Sequence, residues 1–189
     1  MNKKQLRQLQ LLDNMIQECK LCGLYKNGRC KPYYSSDSKF AMILESPGRA
    51  EIENNTPVVG EAGGILWEML NYFGFERKSF LIINSVNCRP VDGNRNGKPT
   101  NIEINTCRNW VRKYLKVLKP EKMFIFGRYS LLSVMKEDDS ITKLNATVAW
   151  SNEFNCNVVK SIHPAYVIYN RSDGKMMLYN SVKKFKEVK

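Results

Sequence analysis

The chain has 189 residues, 43% hydrophobic and 25% charged, with a formal net charge of +12. Such a length suits one domain with a proper core, and the balance excludes a disordered or collagen-like chain. No apolar run approaches the ~20 residues of a membrane-spanning helix. Met1–Leu12 is polar and basic without an apolar signal region, so an intracellular location, cytoplasmic or with the nucleoid, is expected.

Along the chain, Leu6, Leu9, Leu12 and Ile16 recur at helical spacing, which predicts an amphipathic helix over 3–18 leading into Cys19-x-x-Cys22. A Tyr-, Ser-, Lys- and Gly-rich loop fills 23–38. FAMIL (40–44) reads as a short buried strand, ended by the turn Ser46-Pro47-Gly48. A polar loop to Gly60 follows, then Gly63-Gly64 and a helix carrying Ile65, Leu66, Leu70 and Phe73. FLIIN (80–84) is a second strand, and a Gly/Asn/Pro loop over 90–100 precedes a helix over 102–118. KMFIF (122–126) is a third strand, closed by Gly127, with a helix over 130–135. A fourth strand over 158–162 runs directly into His163-Pro164, and a basic helix over 175–188 follows. Strands alternating with helices predict a single α/β domain over 1–189: a three-layer αβα sandwich around a central, mainly parallel four-stranded sheet. In such sheets ligands bind outside the carboxyl ends of the strands. That rule gathers Glu45, Ser46, Pro47, Gly48, Asn84, Gly127 and His163 into one crevice.

The charge surplus, 30 Lys and Arg against 18 Asp and Glu, favours a polyanionic partner, nucleic acid first. The plain alternative is solubility or an interaction tail. Lys183, Lys184, Lys186 and Lys189 fit a solvated helix face equally well. Six cysteines without a signal peptide argue against a disulfide framework. Four soft thiolates suit a [4Fe–4S] centre or a tetrahedral zinc, and the spacing of Cys19, Cys22, Cys88 and Cys107 is not that of a zinc ribbon.

LESPGRAEIENNTPVVGEAGGIL (44–66) resembles the first motif of the iron–sulfur uracil-DNA glycosylases, G-E-A-P-G followed by E-D and P-F-V-G-x-A-G. INSVNCRPVDGNR (83–95) resembles their N-V-V-K-C-R-P-P…N-R motif, and HPAY (163–166) their closing H-P-S-Y. The motifs keep the family's order over about residues 15–185. The resemblance implies a structural [4Fe–4S] cluster, with zinc the lesser alternative, on Cys19, Cys22, Cys88 and Cys107. Cys30 and Cys156 have no counterpart; Cys30 is a possible competing ligand and Cys156 a small core residue. It also implies that His163 donates to the departing base, Asn84 reads the base edge, and Glu45 with Ser46, Pro47 and Gly48 shapes the water and base site, alongside Val58 and Gly60. DNA contacts are expected at Arg49, Arg89, Arg95, Lys98, Tyr166, Val167, Tyr169 and Arg171, with Val167, Ile168 or Tyr169 as the wedge replacing a flipped base. For Val167 and Ile168, packing in the core is the plain alternative. A monomer acting on a flipped pyrimidine nucleotide in DNA is expected, with a replication or repair protein as an optional partner.

The departures are specific. Leu44 stands for the family's Gly, Ser46 for Ala, Ile52 for the Asp of E-D, and Asn87 for Lys. Val58 replaces the aromatic that stacks on the base, which costs on the order of 1–3 kcal/mol of base binding and leaves room for a 5-substituted pyrimidine. Val91-Asp92-Gly93 is inserted before Asn94-Arg95, and Tyr169 stands where the family has Arg, with Arg171 two residues on. Three readings follow: excision of uracil or a related modified pyrimidine; a glycosylase relative that grips DNA or a partner without cutting; or a zinc-stabilised nucleotide- or RNA-binding module.

Overall fold

Reciprocal caps fix where the outer helices begin. The Asn2 side chain accepts from the Gln5 N–H at 2.9 Å while Gln5 Oε1 accepts from the Asn2 N–H at 3.0 Å, opening α1 (Lys3–Gln17). In this computed structural model, which describes residues 1–189, a 3₁₀ turn (Gly23–Asn27) and β1 (Phe40–Leu44) follow. Next come α2 (Arg49–Asn54), α3 (Glu61–Tyr72) and β2 (Phe80–Asn84). A two-stranded ribbon, β3 (Val91–Asp92) and β4 (Arg95–Asn96), leads to α4 (Asn101–Leu118), which Thr100 and Glu103 cap in the same reciprocal way. The chain then forms β5 (Lys122–Phe126), α5 (Arg128–Met135), β6 (Val148–Ser151), β7 (Cys156–Ser161), α6 (Ala165–Tyr169) and α7 (Arg171–Glu187).

The sheet order is β2-β1-β5-β7-β6; the first four strands are parallel and β6 pairs antiparallel with β7. The α/β sandwich expected from the sequence is present, but its sheet has five strands rather than four. β6 has Val148 and Trp150 exposed on the sheet's edge, so it carries no apolar run to announce it. Residues 49–54, expected as loop, form α2, which buries no side chain and is held by its N-terminal cap.

β1, β2 and β5 are buried at every position, as strands covered on both faces must be. Alternate residues feed two cores. Ala41, Ile43, Leu81, Ile83, Met123 and Ile125 meet α1, α4 and α5. Phe40, Met42, Phe80, Ile82, Phe124 and Val159 meet α3 and α7, where Phe124 stacks on Phe185 with ring centroids 4.6 Å apart. Each large side chain fully buried here contributes about 1.5–3 kcal/mol. Cys156 is 2% exposed and packs in the first core, where a small apolar residue was expected.

Because four strands are parallel, their carboxyl ends share one edge. β1 delivers Glu45 to it, β2 ends on Asn84, β5 delivers Gly127, and β7 delivers His163. The strand order reverses between β1 and β5, so Glu45 and Gly127 flank the switch point.

Candidate active site and thiol cavity

A crevice of about 570 Å³ opens at that edge, and Glu45, Ser46, Pro47, Gly48, Val58, Gly60, Asn84 and His163 all line it. Asn84 is 4% exposed and its side-chain amide, which offers both a donor and an acceptor, faces the crevice. His163 Nδ1 accepts the Ala165 N–H at 3.2 Å. That bond leaves the proton of the neutral ring on Nε2, as a donor. Burial lowers the His163 pKa, and the nearby charges of Glu45 and Glu51 only partly offset it. Glu45 turns toward the start of α5, where Oε1 accepts the Tyr129 N–H at 3.2 Å. Its carboxyl group lies so close over Gly127 that a Cβ there would overlap it.

Glu51 organises the two loops that wall the crevice. Oε2 accepts from the Gly48 N–H at 3.0 Å; Oε1 accepts from Val59 at 3.1 Å and Gly60 at 2.8 Å. One carboxylate thereby ties the Ser46–Gly48 turn to the 58–60 segment. The same segment holds Val58 at φ 59, a costly conformation for a β-branched residue. The Val58 carbonyl is fixed by Trp67 Nε1 at 3.1 Å and Arg77 at 3.4 Å. Sequence reasoning passed over Glu51, although the Gly48-x-x-Glu51 spacing of a cap marked it. It also passed over Asn96, which lines the crevice and whose Oδ1 accepts Arg89 Nε at 2.7 Å.

The candidate DNA contacts divide. Lys98 and Tyr169 line the crevice, and Tyr169 is 84% exposed. Arg49 lines it too but donates to the Asn94 carbonyl at 3.1 Å, and Arg89 is engaged with Asn96, so both brace the ribbon. Arg95 stands exposed on β4, and Arg171 is exposed at the start of α7. Tyr166 is half-buried against the second core. Val167 is buried in that core, because α6 turns it toward α3 and α7; it is not available as a wedge, and Tyr169 is the exposed residue of the helix.

On the other side of the sheet, Cys19, Cys22, Cys88 and Cys107 line one cavity with Arg29, Asn87 and Trp110. Gly28–Cys30 runs antiparallel to Asn87–Arg89, with Cys30 N–H donating to Asn87 O at 2.9 Å and Arg89 N–H to Gly28 O at 3.1 Å, which sets the first cysteine pair beside the third. Arg29 Nε donates to Cys88 Sγ at 3.3 Å, and its other nitrogens donate to the Gln17 and Cys19 carbonyls. Burial raises the Cys88 pKa against the pull of Arg29, and pushes Cys107 up to about 12. The Asn87 amide is buried at this wall with neither its oxygen nor its nitrogen partnered. Cys30 lies outside the cavity, with its Sγ donating to the Lys31 carbonyl at 3.5 Å. The four sulfurs do not form the close group that a single metal ion holds.

Fold and crevice define a parallel α/β domain built to take a ligand at the carboxyl edge of its sheet. The family model described as the uracil DNA glycosylase superfamily matches residues 31–188. The chain belongs to that superfamily. It is 28% identical over 170 residues to the type-4 uracil-DNA glycosylase of Thermotoga maritima, covering 87% of this chain and 85% of the relative. It is 29% identical over 189 residues to the type-4 enzyme of Sulfurisphaera tokodaii, covering 95% and 84%. With that of Pyrobaculum aerophilum the figure is 31% over 130 residues, covering 68% and 65%.

Proposed function

We propose that the protein binds DNA and hydrolyses the N-glycosidic bond of uracil, releasing the base and leaving an abasic site. The observation that carries this reading is the set of three polar groups on one crevice: the free Asn84 amide, the Nε2 donor of His163 and the Glu45 carboxylate. A target base inside a duplex is out of reach, so the nucleotide swings into the crevice and Tyr169, exposed on the rim, fills the gap. Asn84 pairs with the donor–acceptor edge of the base. As the C1′–N1 bond lengthens, positive charge grows on the sugar and negative charge on the base; Nε2–H of His163 donates to the base's carbonyl oxygen. A neutral ring does this without losing its proton, and burial keeps His163 neutral. Water, oriented by Glu45, adds its oxygen to C1′; its proton leaves with the uracil. Glu51 acts by positioning, since it touches only the loops.

The four-cysteine cavity fits a [4Fe–4S] cluster on Cys19, Cys22, Cys88 and Cys107. One of its sulfurs, Cys88 Sγ, already receives an N–H donor from Arg29, and the orphaned Asn87 amide supplies more. A single zinc would draw four thiolates to about 3.8 Å of one another, from Zn–S bonds of ~2.3 Å. The cluster's contribution is cross-linking, tying α1 to the segment that carries the ribbon.

Excision on end-labelled oligonucleotides tests the proposal. Each carries one uracil, 5-hydroxymethyluracil, hypoxanthine or thymine, single- or double-stranded, and is treated with alkali afterwards. Cleavage at uracil is expected, falling about 10²–10³-fold in His163→Ala and in Asn84→Ala. A 5-substituted uracil cut as well would show what Val58 leaves room for. Protein that binds these DNAs and cuts none of them overturns the enzymatic reading and leaves a DNA-gripping relative.

A further inference from the structure

Behind α6, a second cavity of about 280 Å³ runs between α3 and the first turns of α7. Glu61 and Ile168 line both this cavity and the crevice, so the two spaces adjoin across a shared wall. Its floor is apolar: Ile65 and Met69 from one face of α3, Val167 and Ile168 from α6. Its rim carries Glu61 and Glu68 on one side and Arg171 and Lys175 on the other. These opposite charges face one cavity without pairing; the chain's ion pairs are Lys78–Glu76, Arg112–Glu153, Arg128–Asp138, Lys160–Glu137 and Lys184–Glu187.

We propose that this cavity is a subsite for the nucleobase next to the target on the same DNA strand. The inference rests on reading the crevice as the seat of the everted nucleotide. A nucleotide one phosphate away from the crevice has the adjoining cavity as its nearest apolar shelter. The flat, apolar face of a base suits the aliphatic floor. Arg171 and Lys175 suit the phosphate that joins the two nucleotides. Glu61 and Glu68 accept from an exocyclic amino group, as carboxylates do from N4 of cytosine. Thymine has no such group and would turn carbonyl oxygens toward two carboxylates. The subsite therefore selects cytosine or adenine over thymine. Its effect is greatest on single strands, where unstacking a base costs least.

The test uses single-stranded oligonucleotides with one uracil whose 5′ or 3′ neighbour is cytosine, adenine, thymine or an abasic spacer, read by single-turnover excision. A second set, with an abasic spacer in place of the uracil nucleotide, gives equilibrium affinities that do not depend on cleavage. On one side of the target, cytosine or adenine is expected to exceed thymine and the spacer by about 5–20-fold in both readouts. Glu68 is exposed and outside the crevice, so its variants fold and keep their excision of uracil flanked by the abasic spacer, which puts no base in the subsite. Glu68→Gln should narrow the ratio, and Glu68→Lys should turn it toward thymine. Equal rates and affinities for every neighbour on both sides overturn the subsite, as does a preference that Glu68→Lys leaves unchanged. If no oligonucleotide is cut, the glycosylase reading falls, and the affinity set alone decides the subsite.

Discussion

At His163, one backbone hydrogen bond and burial act in the same direction. Nδ1 is occupied as an acceptor, and loss of solvent disfavours the charged ring, so the folded protein takes up a proton at this site only below the ordinary value of 6.5. The unfolded chain binds that proton as pH falls through about 6.5. Between the two values the unfolded state holds more protons, so the stability from this site, complete above about 6.5, is lost as pH falls toward the folded value. Melting temperature should therefore drop between about pH 7 and pH 5 more steeply in the wild type than in His163→Gln. Equal slopes in the two proteins would mean that the ring is solvated and charged, against its proposed work as a neutral donor. Glu51 shows a related economy in another form. Three backbone N–H groups hold its carboxylate without any cation, which leaves its charge free to act on His163.

Among the elements, the junction of β5 and α5 sets Glu45. Gly127 has φ 89 and ψ 168, a region essentially closed to other residues, and its missing Cβ is the space that the Glu45 carboxyl group occupies. Gly127→Ala should lose about 1–2 kcal/mol to backbone strain, or about 2–8 °C in melting temperature. It should also lower excision by up to about 10²-fold, because the displaced carboxylate no longer orients water. Full activity in a Gly127→Ala protein of lowered stability would separate Glu45 from the chemistry. This junction was legible in the sequence, since a buried apolar run closed by Gly places its end at the crevice edge, as did FAMIL, FLIIN and the strand before His163. Elements without an apolar signature were not legible. In α2, Ile52 is only half-buried and the helix depends on Gly48 and Glu51, which read as ordinary loop residues. β6 exposes its large residues and buries Ser151, the inverse of a recognisable strand face. The cysteines were assigned by resemblance, but Arg29 and the antiparallel pairing that brings it to Cys88 required the fold.

For the molecule as a whole, few polar ties join α1 to the rest of the fold, among them Gln5 Nε2 donating to the Val117 and Leu118 carbonyls at the end of α4. Asp13 accepts from Tyr34 and Tyr114, each at 2.6 Å, and Arg29 reaches the Gln17 and Cys19 carbonyls. A cluster on the four thiols would add a cross-link between this helix, the segment after β2 and α4. Cys107→Ser should abolish absorption near 400 nm and cost about 3 kcal/mol, the scale of a lost cross-link. For a chain of this size that is about 6–12 °C in melting temperature. A colourless wild type with the same melting point as the variant would remove the cluster from the account. The charge surplus is spread over the same assembly, yet only part of it lies near the crevice. Arg49 and Arg89 hydrogen-bond to the ribbon, while Lys98 lines the crevice, Arg171 and Lys175 line its neighbouring cavity, and Arg95 is exposed on β4. If these four carry the phosphate contacts, the logarithm of duplex affinity should fall against the logarithm of salt with a slope of about −3.6, and of single-strand affinity with about −2.8. Lys98→Ala should reduce the duplex slope by about 0.9, whereas Lys3→Ala, on the far helix α1, should leave it unchanged. Equal effects of the two substitutions would mean that DNA is held by diffuse charge rather than by the rim of the crevice.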